Sequence, residues 1–375
     1  MQTVLEGIVS LPHVLQEIGC KKLFLVIDSS YAFLNIKDAI ESLPVVEKVT
    51  FSDFTPNPQY EQVCKGIDLL KASPCDTILA VGGGSAIDVA KCIKLAILSK
   101  EGNDAIIPPL VSHQVSIEGA RIPFIAVPTT AGTGSESTHN AVMYFEGVKQ
   151  TVTNDGILPD YAILEPTVLK TLPLYQKKST MMDAFCQGLE SWWSINATDE
   201  SIAYSKKAVE LIEANWRQYI FKNDLDATAQ IMIAANYGGK AINIAQTTAA
   251  HAMSYKITSL YGLSHGHAVA VCLPVIWDYM TFHTDRAIDP RGQEYLKGVF
   301  IDIAKALGAD TVESAIAHFR QMMSDLGLGN PISDKKVSDL AILVDSVNPV
   351  RMKNNPVCLT KPIIRQIYSD IILPS

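Results

Sequence analysis

The chain has 375 residues, of which 48% are hydrophobic and 19% charged, and a formal net charge of −8. That length predicts two domains, three at most, with ample apolar content for their cores. The acidic balance gives no support to nucleic-acid binding, and no apolar run of about eighteen residues is present to cross a bilayer.

Along the chain, the first half alternates strand and helix signals. Lys22-Leu-Phe-Leu-Val-Ile27 is a short apolar run ending in Asp28-Ser-Ser30, the pattern of a buried strand. Pro58 to Ala72 carries helical periodicity. Asp76-Thr-Ile-Leu-Ala-Val81 predicts a second buried strand, which ends in Gly82-Gly-Gly-Ser85 and leads into a helix over Ala86–Ser99. Ile122-Pro-Phe-Ile-Ala-Val127 predicts a third, followed by Pro128-Thr-Thr-Ala-Gly-Thr-Gly-Ser135. Ala141 to Thr153 predicts a hairpin around Glu146-Gly147. This alternation implies a mainly parallel sheet covered by helices. From Lys178 onward the pattern is helical, over Ser179–Trp193, Glu200–Tyr219, Ala227–Ala245 and Tyr295–Leu307. An α/β N-terminal domain over 1–174 and an all-α C-terminal domain over 175–375 follow, the boundary falling within 170–178.

The N-terminus, Met1-Gln-Thr-Val-Leu-Glu6, lacks a charged segment followed by an apolar stretch, so no signal peptide is expected. Seven scattered cysteines without a CxxC pair read as free thiols in a reducing cytoplasm. Cys186 reads as buried filler. Trp192 and Trp193 are consecutive on a helix, so one is expected in the core and the other at a cleft or a subunit contact.

Two groups of residues carry chemistry. The Gly82–Ser85 turn, between a strand and a helix, lets backbone N–H groups approach a pyrophosphate; a plain tight turn is the structural alternative. Asp28 reads either as a ribose acceptor, which favours NAD over NADP, or as an Asx turn or helix N-cap. The second group is Asp183, Gln187, His251 and His265. Asp183 and Gln187 stand at i and i+4 on one helix face. A carboxylate with two imidazoles suits Zn²⁺ or Fe²⁺ in a site with an open position. Gln187 offers a carbonyl oxygen as a weak ligand or a contact to a bound water.

Gly82-Gly-Gly-Ser-Ala-Ile-Asp88, Pro128-Thr-Thr-Ala-Gly-Thr-Gly-Ser-Glu136, the Asp183 helix and Ser264-His265-Gly266 together resemble the iron-containing (group III) alcohol dehydrogenases. The motifs occur in that family's order over nearly the whole chain. The resemblance implies the dehydroquinate synthase-like fold: a dinucleotide-binding α/β domain followed by a helical domain, with NAD(P)H and one divalent metal as cofactors. By the same resemblance Gly83, Gly84 and Ser85 line the pyrophosphate, and Thr129, Thr130 and Thr133 the adenosine and phosphate side. Asp88 and Ser135 belong to the same two motifs. Asn140 falls near the nicotinamide, Lys149 matches a cofactor-side lysine, and Asp28 matches the acidic position after the first strand. The family's ligands are Asp, His, His and His; Asp183, His251 and His265 match three, and Gln187 departs from the fourth.

Within the family, that departure and the segments 183–194, 239–255, 264–270 and 347–357 resemble the phosphonoacetaldehyde reductases. A cytoplasmic, homodimeric enzyme that makes 2-hydroxyethylphosphonate is the resulting expectation. An anionic substrate needs local donors in an acidic protein. Arg351 is the first choice for its planar fork, then Lys240, Lys256 and Asn355, with Asn243, Thr247 and Thr248 as neutral donors; a solvated surface position is the alternative for the lysines. Tyr255 or His267 would pass the proton, with a structural hydrogen bond as the other reading of His267. Three rival functions are a dehydrogenase of another small or sugar-derived alcohol, a non-redox lyase, and a nucleotide-binding protein that lost its metal through Gln187.

Overall fold

Six short strands pair in register to give a wholly parallel sheet: β1 (Thr3–Glu6), β2 (Lys22–Ile27), β3 (Glu47–Phe51), β4 (Thr77–Gly82), β5 (Phe124–Pro128) and, last in the chain, β8 (Tyr161–Leu164). Their order is β1-β8-β5-β4-β2-β3. The computed structural model describes residues 2–106, 121–331 and 337–373. β4 and β5 are buried along their whole length, as strands covered on both faces must be. β1 and β3 are half exposed. Such short or charge-bearing edge strands give no apolar run, and β8 has only four residues, so pattern reading missed all three.

Among the described residues, the α-helices of this part are α1 (Leu11–Glu17), α2 (Lys37–Glu41), α3 (Tyr60–Ala72) and α4 (Gly84–Leu98). The remaining strands, β6 (Asn140–Phe145) and β7 (Val148–Thr153), form the expected antiparallel hairpin, turning at Glu146 and Gly147. Because β3 lies on one side of β2 and β4 on the other, the chain reverses its direction of sheet-building between β2 and β4. Such a switch point opens a crevice at the carboxyl ends of the strands. Asp28 follows β2 there, Gly83 follows β4, and Thr129 follows the neighbouring β5.

Contacts divide the chain into Met1–Leu172 and Pro173–Ser375, two residues before the expected 174/175 division. The second unit is helical: α5 (Leu174–Trp193), α6 (Asp199–Arg217), α7 (Leu225–Ala245), α8 (Ala249–Tyr261), α9 (His265–Phe282), α10 (Gln293–Ala306), α11 (Val312–Leu326), α12 (Val337–Ser346) and α13 (Lys361–Ile372). After α6 a π-helical turn, Gln218–Lys222, buries Tyr219 where a continuous α-helix was expected. Among the described residues no helix is long and apolar enough to cross a membrane.

α5 is the centre of this unit, buried on all sides from Met181 to Trp193. Both tryptophans are therefore interior, which corrects the expectation that one lines a cleft or a subunit contact. Trp193 packs 5.7 Å from the Trp277 ring and 5.9 Å from Phe300, and its indole N–H donates to Thr248 Oγ1 at 3.0 Å. Cys186 is also fully buried, and burial, with Glu190 and Asp183 nearby, pushes its thiol well up, as suits inert filler.

Candidate functional site

Three helices bring one ligand atom each to a common point. α5 supplies Asp183, the first turn of α8 supplies His251, and α9 opens on His265. One atom from each lies within 4.8 Å of the other two. His251 Nε2 stands 3.3 Å from Asp183 Oδ1, and His265 Nε2 stands 3.8 Å from the same oxygen. Ligands held about 2.0–2.2 Å from Zn²⁺ stand roughly 3.3–3.6 Å apart in a tetrahedral site. The donor set suits a borderline divalent cation; the 3.3 Å His251–Asp183 spacing lies in that range, and the 3.8 Å His265–Asp183 spacing is wider. Asp183 and His251 are buried while His265 is partly exposed, so the cluster opens on the His265 side. Gln187, also buried, follows Asp183 by one turn, and its Oε1 lies against the α7 backbone at Gly238.

Burial alone would lower the pKa of His251. Glu190 and Asp183 outweigh it and push the imidazole up to about 10. The close crossing of α9 on α5 depends on Gly266: a Cβ there would stand 2.0 Å from the Ser179 carbonyl oxygen.

Tyr255 follows His251 by one turn of α8, and its ring lies parallel to His265 at 5.6 Å and 4°. Arg351 Nη1 donates to the Tyr255 hydroxyl at 2.8 Å, and the guanidinium lies 5.0 Å from that ring. The His265 imidazole, a phenol and a guanidinium so form one stack. Lys256, the next residue on α8, is half-buried.

Two expected residues are turned to other work. His267 Nε2 pairs with the Gly329 carbonyl at 2.8 Å, and Nδ1 with the Tyr175 hydroxyl at 3.1 Å. Burial lowers its pKa, so the ring is a neutral brace and not a proton donor at the cluster. Residues two apart on a helix point about 200° away from each other, so His267 cannot share the direction of His265. Asn355 is 1% exposed and donates from Nδ2 to the Val357 carbonyl at 2.7 Å. It braces its own loop, where a substrate anchor had been expected.

In the first unit, Asp28 joins the β2 and β4 loops. Its Oδ1 accepts from the Ser30 backbone N–H at 2.9 Å, capping the short 3₁₀ turn Ser29–Phe33, and its Oδ2 accepts from Gly83 N–H at 3.0 Å. Gly84 opens α4 so close to Thr133 that a Cβ would stand 2.9 Å from its hydroxyl. Thr133 Oγ1 accepts from Ser135 N–H at 3.2 Å. Thr129 N–H bonds the Gly82 carbonyl at 3.0 Å, and Thr130 is the side chain facing Gly83. Ser85 Oγ accepts from Asn57 N–H at 3.4 Å. Asn140 Oδ1 is taken by the Thr153 hydroxyl at 2.7 Å, across the hairpin that carries Lys149.

Beneath these loops lies a residue that pattern reading passed over. Lys91 is 0% exposed, and its ammonium donates to the Ser135 carbonyl (2.6 Å), Ser135 Oγ (3.0 Å), Thr138 Oγ1 (3.0 Å) and the Asn140 carbonyl (2.7 Å). Asp88 sits beside it, accepting from Ser135 Oγ at 2.6 Å and Val142 N–H at 3.0 Å. Burial pushes the Asp88 carboxyl up, and pulls Lys91 down to about 8 against the attraction of Asp88 and Glu136. The pair ties α4 to the Thr129–Ser135 loop and to β6. The second residue missed is Glu190, 0% exposed, whose carboxylate meets His251 Nδ1. The available signals were two lysines, Lys91 and Lys94, inside the otherwise apolar run Val89–Ala96, and a glutamate at i+7 from Asp183 on the Gln187 face.

The iron-containing alcohol dehydrogenase family matches residues 6–166, and the C-terminal domain of the Fe-containing alcohol dehydrogenase family matches 177–372. The phosphonoacetaldehyde reductase of Streptomyces viridochromogenes is 32% identical over 301 residues, which cover 76% of this chain and 74% of that protein. Long-chain-alcohol dehydrogenase 1 of Geobacillus thermodenitrificans is 26% identical, covering 94% and 90%. A solved 1,3-propanediol oxidoreductase has a TM-score of 0.88 at 27% identity over 98% of this chain and 97% of its own. The sulfoacetaldehyde reductase of Bifidobacterium kashiwanohense, solved with NAD⁺, also reaches 0.88 at 22% identity over 100% and 98%, a likeness of fold. With both halves matched, the chain belongs to the iron-containing alcohol dehydrogenase family and is an NAD-linked alcohol dehydrogenase or aldehyde reductase.

Proposed function

We propose that the protein reduces phosphonoacetaldehyde to 2-hydroxyethylphosphonate, using NAD(P)H and one Fe²⁺ or Zn²⁺. The observation that carries this reading is the Arg351–Tyr255–His265 stack, which sets a permanently charged, planar donor two rings from a metal-ligating nitrogen. Such a fork matches the oxygens of a phosphonate. The similarity to a phosphonoacetaldehyde reductase supports the same choice.

Asp183, His251 and His265 hold the ion, with Gln187 beside them. When bound, the metal polarises a carbonyl oxygen as a Lewis acid and the reduced nicotinamide supplies the hydride. Gly83, Gly84, Ser85, Thr129, Thr130, Thr133 and Ser135 form the phosphate side of the dinucleotide site, at the switch point of the sheet. Asp28, already bonded to that loop, takes the ribose. Arg351 anchors the phosphonate, with Lys256 adding charge nearby. Tyr255, its hydroxyl fixed by Arg351 and its ring by His265, is the group we assign to proton transfer. All seven cysteines are free thiols, in keeping with a cytoplasmic enzyme.

The test is Arg351→Ala, compared on a charged and an uncharged aldehyde. A charge-assisted anchor is worth about 1.5–3 kcal/mol, so KM for phosphonoacetaldehyde should rise by about 10- to 100-fold, since 1.4 kcal/mol is tenfold. KM for acetaldehyde should change by less than about threefold. Equal changes in the two KM values would remove Arg351 as the anchor.

A further inference from the structure

We propose that Glu190 is the positioning residue of the metal centre: it fixes which nitrogen of His251 carries the proton, and so which one can hold the cation. The inference rests on the metal-site reading above. Glu190 is fully buried on α5, and each of its oxygens has a separate task. Oε1 accepts from Thr248 N–H at 3.1 Å, Thr248 Oγ1 at 2.8 Å, Ala250 N–H at 2.9 Å and His251 N–H at 3.3 Å. Oε2 meets His251 Nδ1.

The first of these tasks is a helix cap supplied from another helix. α8 begins at Ala249, and the side chain of its own N-cap residue, Thr248, makes no capping bond. The opening amides of α8 would otherwise lack acceptors. Thr248 Oγ1 also receives the Trp193 indole N–H at 3.0 Å, so the hydroxyl has its own proton to give to Glu190. Four donors therefore pin Oε1, and the carboxylate cannot rotate without stranding them.

The second task follows from the first. A carboxylate oxygen held against Nδ1 accepts only, so Nδ1 carries the hydrogen and Nε2 presents its lone pair. Nε2 is the atom facing Asp183 and His265. Outer partners of this kind typically set metal affinity by about 10- to 100-fold.

Glu190→Gln separates cap from tautomer with almost no change of shape. The four donors claim the single amide oxygen, because an NH₂ group there would face four hydrogens. The NH₂ must then face His251 Nδ1, which makes Nδ1 the acceptor and moves the ring proton to Nε2. If Glu190 were only a cap, E190Q would keep its acceptor and leave the metal centre unchanged.

The test uses the full-length protein, stripped with chelator and titrated with Zn²⁺ against a chromophoric competitor. E190Q should bind Zn²⁺ about 10- to 100-fold more weakly than the parent. The ¹⁵N-histidine spectrum of the Zn²⁺ form should show a directly bonded Nδ1–H for His251 in the parent and lose it in E190Q. Affinities within about twofold of each other, with Nδ1–H kept, would overturn the proposal. Should E190Q fail to fold by circular dichroism, Thr248→Val decides. It removes one of the four donors and keeps the charge, so Zn²⁺ binding should weaken by about 3- to 10-fold, and unchanged binding would overturn the proposal. A parent protein that binds no Zn²⁺ would instead sink the metal reading itself, and this inference with it.

Discussion

Gly266→Ala should unseat His265 from the proposed metal centre without substituting any of its ligands. Gly266 follows His265 in the first turn of α9. An added Cβ would lie 2.0 Å from the Ser179 carbonyl oxygen, 2.7 Å from Asp183 Cβ and 2.9 Å from Asp183 N. These are backbone atoms and a Cβ of α5, so no side-chain rotation relieves the clash. An ordinary carbon–oxygen contact of about 3.3 Å or more requires the two helices to part by roughly 1 Å. Metal–ligand distances tolerate only about 0.2 Å, so a shift of that size detaches His265 from a site in which it stands 3.8 Å from Asp183 Oδ1. Overpacking costs about 1–3 kcal/mol, and removing a helix glycine returns up to about 1 kcal/mol. The metal-free protein should therefore lose up to about 2 kcal/mol, a fall of a few degrees in Tm at about 2–4 °C per kcal/mol. The larger effect is on binding. Losing a ligand should cost at least the roughly 10- to 100-fold that outer-sphere changes cost. Thermal melts with and without chelator read both terms: the parent should lose Tm on chelation, because bound metal stabilises the folded state, whereas G266A should respond little. A G266A protein with parental Zn²⁺ affinity and parental Tm would refute the reasoning.

Lys91→Met removes the ammonium that donates to the Ser135 and Asn140 carbonyls and the largest attraction offsetting the buried Asp88 carboxylate. Breaking such a buried pair costs about 3–5 kcal/mol, so Tm should fall and the NADH dissociation constant, read by fluorescence titration, should rise at least about tenfold as the Thr129–Ser135 loop loosens. Cofactor binding equal to the parent's would count against Lys91 as the support of that loop. His267→Gln tests the brace reading. Burial holds the His267 pKa below its ordinary 6.5. The unfolded chain therefore binds the proton first, and stability present above 6.5 is lost as pH falls toward the folded-state value. H267Q should flatten that acid-side slope in denaturant titrations and keep kcat within a few-fold; a loss of kcat by orders of magnitude would return His267 to the proton relay.

What was legible in the sequence, and what was not, follows from the physics of each position. β4 and β5 are buried on both faces and so appear as unbroken apolar runs, each ended by turn residues that mark the loops at the switch point. β1 and β3 lie at the sheet edges, where lysine, glutamate and threonine are tolerated, and no pattern separates them from coil. Asp183, His251 and His265 were readable because carboxylate and imidazoles stood in an ordered set of motifs. Glu190 and Lys91 were not, because a charged residue at helical spacing looks the same whether it is solvated or buried among donors and acceptors. His267 and Asn355 were drawn toward the chemistry by closeness in the chain, and helix rotation and loop bracing turn them elsewhere. Trp192 and Trp193 could not both be placed inside until α5 was seen to be enclosed on all sides.

The most direct measurement is the initial rate of NADH and NADPH oxidation with phosphonoacetaldehyde, set beside acetaldehyde and lactaldehyde, with added Fe²⁺ or Zn²⁺ and with chelator. The account predicts a strong preference for phosphonoacetaldehyde that chelator abolishes and added metal restores. Turnover of the uncharged aldehydes alone, or full activity in chelator, would contradict it.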